Sequence, residues 1–271
     1  RTRRSYRGSD LLAARLVRRL QSTQRNLLVF IHGYNNNAED AFRRAWRIRE
    51  RYGVEVLVFT WPANGGGDRF LEDLHGKASY LSDKSDARMS TQALDRVLAR
   101  LQGQLTELNE GARQQAEQEA RDAFPDSLED RRARLVRLLR ERACPFRVTL
   151  LAHSMGNYLY KEMLSTTEDR LSIDSIFDNV VLKAADTNHA DHAHWVARIR
   201  VIRRVYILIN QEDDALRLSS MKIGDRQRPR LGNTLREQNA PGAAYIDCTG
   251  YVGDAHSYFD EEDLERDRAP V

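Results

Sequence analysis

Cysteine is almost missing from this chain, with Cys144 and Cys248 the two among 271 residues. Two thiols cannot build a disulfide framework, so a reducing, cytoplasmic setting is expected. Lysine is scarce as well: of 43 Lys and Arg only five are lysine. A large excess of one charge sign is also lacking, since 40 Asp and Glu leave a net charge of +3. Such an interspersed balance argues against a nucleic-acid partner, which would gather basic residues on one face. No apolar run reaches the ~18 residues of a membrane span, so no stable membrane insertion is expected. The chain opens on Arg1 without a signal-type apolar segment, although a removed leader or a truncated N-terminus would look the same. No period repeats along it. What is present in quantity is hydrophobic residue, 41%, in a chain long enough to bury a full core without staples.

Short apolar runs alternate with helical patterns. Residues 9–20 place Leu12, Leu16, Val17 and Leu20 at helical spacing with an Arg-rich opposite face, which predicts a helix packed on the core, with a membrane-surface helix as the alternative. Asn26–Ile31 is a buried-strand run ending in His32-Gly33. Residues 38–52 predict a helix with Ala41, Phe42, Ala45, Trp46 and Ile48 as its buried stripe, stopped by Gly53. A second run, Val54–Thr60, is followed by a loop holding Gly65 to Gly67 and by a helix near 88–103. Residues 104–142 are rich in Glu, Gln and Arg, helical in propensity and broken at Pro125, which predicts a polar helical insertion, a possible cap, rather than core. Further runs lie at Arg147–Ala152, with a helix from about Asn157 to Leu164, and then at Asn179–Ala185, Arg204–Asn210 and Ala243–Cys248. Continuous apolar strands alternating with helices predict a single α/β domain, its mostly parallel central sheet covered by helices on both faces. Chemistry in such a sheet belongs at the carboxyl ends of its strands.

Those ends carry a consistent set of residues. Ala152-His153-Ser154-Met155-Gly156 has a serine between small residues where a strand turns sharply into a helix, the pattern of a nucleophile elbow with Ala in place of the usual first Gly. His32-Gly33-Tyr34-Asn35-Asn36-Asn37 can fold back toward that serine. The backbone N–H groups of Tyr34 and Met155 are then the expected oxyanion donors, while an Asn-rich turn capping the next helix is compatible with the same residues. His32 reads as a structural histidine of this loop. The chain order Ser, acid, His selects His256, in the late segment Gly253–Phe259, as the base. Asp213, directly after the Arg204–Asn210 run, is the preferred acid; Asp214 is its neighbour, and Asp186, which ends the preceding run, is the alternative acid. His189, His192 and His194 tempt a metal reading, but their spacing does not share one helical face and no Cys or Glu completes a ligand set, so neither metal nor cofactor is expected.

With VFIHGYNN at 29–36, LLAHSMGNYL at 150–159, NVVLKAAD at 179–186, DDALRLS at 213–219, RLG at 230–232 and AHSYF at 255–259, the chain resembles a family of bacterial α/β-hydrolases named by fold rather than by substrate. The resemblance implies the α/β-hydrolase fold with an eight-stranded type of sheet, and Ser154, Asp213 and His256 as a triad. It implies no particular substrate, and the stretch at 104–142 is longer than the motifs lead one to expect.

Together these readings predict a serine hydrolase that attacks a small-molecule ester or related acyl bond through an acyl-enzyme, a carboxylesterase above an amidase, thioesterase, lipase or acyltransferase. A non-catalytic, hydrolase-like interaction module is the alternative from another class. The sequence leaves oligomeric state open.

Overall fold

The structure, a computed structural model, describes residues 8–63, 75–142, 146–166, 176–221 and 228–259. The glycines at 65–67 and Cys144 lie outside them. The chain forms two compact units, Arg1–Asn26 with Arg96–Arg147, and Leu27–Asp95 with Val148–Val271.

The larger unit holds a sheet of six strands: β1 (Leu27–Ile31), β2 (Glu55–Phe59), β3 (Val148–His153), β4 (Asn179–Lys183), β5 (Arg204–Ile209) and β6 (Ala243–Asp247). Every pairing is parallel, in the order β2-β1-β3-β4-β5-β6. The family resemblance implied an eight-stranded type of sheet; six strands are found among the described residues, so the parallel part is what the apolar runs encode. Val29, Phe30, Leu150, Val180, Leu182 and Ile207 in the middle strands are fully buried. That is why those strands read as continuous apolar runs rather than alternating ones. β6, on the edge, is only half buried, and Ile246 is exposed.

From β1 the chain goes outward to β2, then returns to lay β3 on the other side of β1. The order reverses between β1 and β3, and ligands of open α/β sheets bind in the crevice outside the strand ends at such a reversal. His32-Gly33 and Ser154 therefore leave the sheet side by side.

Between β1 and β2 runs α2 (Ala38–Tyr52), with the bounds the sequence predicts. Asn37 caps it: its Oδ1 accepts from the N–H of Asp40 at 2.8 Å, and Asp40 Oδ2 accepts from the N–H of Asn37 at 3.3 Å. Gly53, at φ +62°, ends it with an N–H bond to the Arg49 carbonyl. The expected stripe needs a correction. Ala41, Ala45 and Ile48 are buried, but Phe42 and Trp46 are about 60% exposed. At roughly 100° per residue these two lie a quarter to a third of a turn away from the small-residue stripe. Volume, not hydrophobicity, decides the face: alanines let α2 approach the sheet, and Arg49 covers Trp46 with its guanidinium 5.1 Å from the ring.

α5 (Met155–Thr166) follows β3, and α6 (His192–Val196) and α7 (Asp214–Ser220) follow β4 and β5. A short 3-10 turn, Leu231–Asn233, lies along the segment after β4: Leu231 N–H donates to the Thr187 carbonyl at 2.9 Å and Gly232 N–H to the Ala185 carbonyl at 3.1 Å. A Cβ on Gly232 would stand 2.3 Å from the Ala185 nitrogen, so only glycine admits this approach.

The helix expected near 88–103 and the first part of the polar stretch are one helix, α3 (His75–Ala123). α4 (Leu128–Arg142) follows the break at Pro125, with Ser127 Oγ accepting from the Asp130 N–H at 3.3 Å. α1 (Gly8–Thr23) belongs to the smaller unit; its Val17 and Leu20 are buried, whereas Leu12 is exposed. The polar stretch is not wholly without a core. Ala116, Ala120 and Leu138 are buried together, with Leu135 and Leu139 packed on them. Small residues on α3 facing leucines on α4 give a narrow seam that composition alone hides. Among the described residues no helix is long and apolar enough to cross a membrane.

Candidate active site

The β3–α5 turn is built around Ser154, whose φ of +54° is a left-handed value that non-glycine residues rarely hold. Such strain costs about 1–3 kcal/mol and persists only where the surroundings over-determine it. Here they do. Ser154 N–H donates to the Lys183 carbonyl at 3.1 Å, and its own carbonyl accepts from the N–H groups of Asn157 and Asp186 at 3.0 and 3.2 Å. The buried Asn157 side chain donates through Nδ2 to the carbonyls of Ala152, Ser154 and Lys183, all within 3.1 Å. Gly156 faces the end of β1, where a Cβ would stand 2.6 Å from the Ile31 carbonyl oxygen. Gly33 sits over the serine itself, where a Cβ would lie 2.7 Å from Ser154 Cβ. These two glycines set how closely the β1 loop and the serine turn can meet.

The loop after β1 divides its work. Asn37 caps α2, whereas Tyr34, Asn35 and Asn36 line a cavity of about 190 Å³ that Ser154 and His256 also line. Met155, fully buried, begins α5, so its N–H belongs to the first helical turn, whose donors have no partner inside the helix. His32 is held on every side. Its Nε2 accepts from the Trp61 N–H at 3.2 Å, which leaves the proton on Nδ1 to donate to the Gly33 carbonyl at 3.0 Å. Its carbonyl accepts from the Trp61 indole N–H at 3.0 Å, and the two rings stack 5.5 Å apart. Burial keeps its pKa below the ordinary value, so the ring is a neutral brace for the loop.

On the other side of the cavity, His256 donates from Nδ1 to both oxygens of Asp213, at 3.0 and 2.8 Å. That fixes the tautomer and leaves the Nε2 lone pair available. Asp213 is fully buried at the N-cap of α7, where Oδ1 also accepts from the Leu216 N–H at 3.0 Å. A cap and a histidine partner thus come from one carboxylate, oriented before any ligand arrives. Asp214 is exposed and pairs with Arg217 at 2.8 Å. Asp186 also lines the cavity, but its Oδ1 accepts from Ser219 Oγ at 2.6 Å and lies 3.1 Å from Nε of the buried Arg230. The structure therefore brings His256 to Asp213, and gives Asp186 to Arg230.

The loop carrying His256 is tied to the ends of three neighbouring strands. Asn210, after β5, donates through Nδ2 to the carbonyls of Gly253 and Ala255, at 2.9 and 3.2 Å. Lys183, the last residue of β4, donates from Nζ to the His256 carbonyl. His153, opposite Lys183 in the β3–β4 register, donates from Nε2 to the same carbonyl at 3.3 Å. Arg44 on α2 adds a bond to Ser257 Oγ at 2.7 Å. His153 is buried, with its Nδ1 packed against Gly33 and without a hydrogen-bond partner among the described residues. Burial, and then the Lys183 charge, hold its pKa well below 6.5, so it stays neutral.

Sequence reasoning missed Asn157, Lys183, Asn210 and Arg230. Two of them carried a signal: a lysine inside the apolar run Asn179–Ala185, and an asparagine closing the run Arg204–Asn210. Buried polar residues in apolar runs need partners, and here the partners are loop carbonyls. In the histidine cluster, His192 bonds the His189 carbonyl through Nδ1 at 2.8 Å and meets Tyr245 Oη through Nε2 at 2.6 Å, while His194 is exposed. Among the described residues no three His, Cys, Asp or Glu side chains are placed to hold a metal ion.

No curated protein and no solved structure matches the chain. One family does, described as "Alpha/beta hydrolase of unknown function (DUF900)", over residues 10–109 and 119–251. The unmatched gap falls within α3, and His256 lies just past the end of the match. With most of its length matched, and an all-parallel sheet whose order reverses beside Ser154, the chain belongs to this family of α/β hydrolases.

Proposed function

We propose that the protein is a serine hydrolase that cleaves a small ester or related acyl bond through a Ser154–His256–Asp213 triad. The observation that carries this reading is the His256–Asp213 pair, with Nε2 left to act as a base, on the same cavity that the strained Ser154 turn lines.

In this mechanism His256 Nε2 takes the Ser154 hydroxyl proton as Oγ bonds to the acyl carbon. Asp213 holds the ring in the Nδ1–H tautomer and stabilises the imidazolium that forms. The carbonyl oxygen gains negative charge, to which the N–H groups of Tyr34 and Met155 donate; one such donor is worth about 100-fold or more in rate. His256 then passes its proton to the leaving group, the acyl carbon–oxygen bond breaks, and the acyl-enzyme remains. A water repeats the sequence on the acyl-enzyme: His256 removes its proton, the hydroxide oxygen bonds to the acyl carbon, and Ser154 leaves with the proton returned.

A cavity of about 190 Å³ suits a short acyl group rather than a long lipid chain. That small size favours a carboxylesterase over a lipase. The test is a fluorophosphonate probe on the folded protein, followed by p-nitrophenyl esters of increasing chain length. Labelling at one serine, lost in Ser154→Ala, with the highest rates on short esters is expected. A folded protein that the probe leaves untouched overturns the reading.

A further inference from the structure

Lys183 is one of five lysines in the chain, yet it is 1% exposed and sits at the end of a central strand. The acyl-transfer steps above give it nothing to do. A buried ammonium is costly to desolvate and persists only where its donors find acceptors. Its surroundings are specific: Nζ donates to the carbonyl of His256 itself, lies 3.6 Å from the centre of the Tyr258 ring and 4.5 Å from that of Phe259. Its target is therefore the backbone of the histidine and the faces of two aromatic rings just beyond it.

We propose that Lys183 is a positioning residue for His256, an argument that rests on His256 being the catalytic base. The imidazole is fixed at one point by Asp213. Asn210 and Arg44 hold residues on either side of His256, which leaves the peptide of the base itself to be fixed. The Lys183 bond, joined by that from His153, fixes a second point, the peptide carbonyl of the same residue. Two anchors at opposite ends of one residue leave little freedom at its torsions, which holds Nε2 toward the cavity. Tyr258 and Phe259 close over the ammonium and extend the hold to the chain beyond the base. The long lysine stem lets the ammonium reach the loop from the end of β4 while its methylenes stay in the apolar layer.

The test uses the full chain and two independent readouts. One is the rate of fluorophosphonate labelling at Ser154. The other is the strongly deshielded proton NMR signal of a histidine Nδ1–H donating to a carboxylate, assigned by its loss in His256→Gln. Lys183→Met is expected to melt cooperatively, to label about 10- to 100-fold more slowly, and to lose or broaden the deshielded signal, because small misplacements of a catalytic group cost that much. Lys183→Arg, which keeps a long cationic donor, should recover part of both. A lysine needed for stability alone would lower the melting temperature while leaving the signal and the labelling rate of the folded fraction unchanged; that result overturns the proposal. If Lys183→Met does not fold, Lys183→Gln and Tyr258→Leu take its place, and wild-type values of both readouts in either folded variant overturn it equally. If the wild-type protein is never labelled but its deshielded signal still depends on Lys183, the hydrolase reading fails and the positioning role stands.

Discussion

The α3–α4 pair and the strand ends of the sheet both rely on polar side chains, but they use them differently. Along α3 and α4 the bonds join near neighbours on the surface: Arg113 with Glu117, Gln118 with Asp122, Ser127 with Asp130. At the strand ends the bonds run from buried side chains to the half-buried His256 and join distant parts of the chain: Asp213 to His256, Lys183 to His256, His153 to His256. Exposed pairs are screened and contribute little, whereas buried ones fail at large cost when one partner is removed. The surface pairs of the first region can be replaced at little cost; the partners at the strand ends cannot.

The sharpest way to break that contrast is at its two buried carboxylates. Asp213→Asn, which loses the acceptor that sets the His256 tautomer, is expected to lower the labelling rate and any esterase kcat by about 10⁴-fold. Asp186→Asn is expected to act mainly on stability, by about 3–5 kcal/mol in denaturant unfolding, because it leaves Arg230 buried without its counter-charge. Equal activity losses, or the reverse ranking, would overturn the assignment of the acid.

Next in size is Gly156→Ala. Its Cβ would meet the Ile31 and His32 carbonyl oxygens at 2.6 and 2.7 Å, both backbone atoms. Overpacking at such a site costs about 1–3 kcal/mol or more and should push Ser154 out of place, so labelling should fall even where the variant folds. Gly103→Ala, on α3 with nothing within 4 Å, is the control and should raise stability by up to about 1 kcal/mol.

Acid should discriminate between the regions as well. His153 and His32 have pKa values depressed by burial, while in the unfolded chain they titrate near 6.5. Their neutral, folded state is favoured above pH 6.5. As pH falls below it, the unfolded state takes up protons first and stability drops, by up to about 1.4 kcal/mol per pH unit for each histidine. Melting temperatures from pH 7.5 down to 5.5 should fall, and His153→Gln should flatten the slope. An unchanged slope would mean that His153 already carries its proton in the folded protein.

The smallest effect expected is at the Arg134–Glu119 bridge between α3 and α4, 2.6 Å long with both side chains about a third exposed. Glu119→Gln should cost less than about 1 kcal/mol, and less still at high salt. A larger loss would show this surface pair to be as indispensable as those beneath His256.

The same contrast explains which features are legible in the sequence. The strands, α2 with its cap at Asn37 and its stop at Gly53, and the serine turn are local patterns, and the sequence predicts them closely. The face of α2 that carries Phe42 and Trp46 departs from expectation because side-chain volume against the sheet outweighs hydrophobicity. Choosing Asp213 over Asp186 requires knowing which carboxylate the late loop reaches. Both lie between Ser154 and His256, so chain order does not separate them, and only the strand each one follows ranks them; a buried arginine 44 positions downstream of Asp186 is what engages it otherwise. Lys183 and Asn210 stand out as oddities in apolar runs, but their partners lie in a loop 43 to 73 residues away. Periodicity carries no information over that distance.

The mooring of the His256 loop to β3, β4 and β5 has a consequence for the timing of activity. The residue proposed to start the chemistry is placed by the segment that emerges last from the sheet, and by strand ends that exist only once the whole sheet has assembled. A fragment that stops short of β6 has the serine but lacks its proposed base. Under the proposed triad, turnover would report that the sheet and the late loop have both formed.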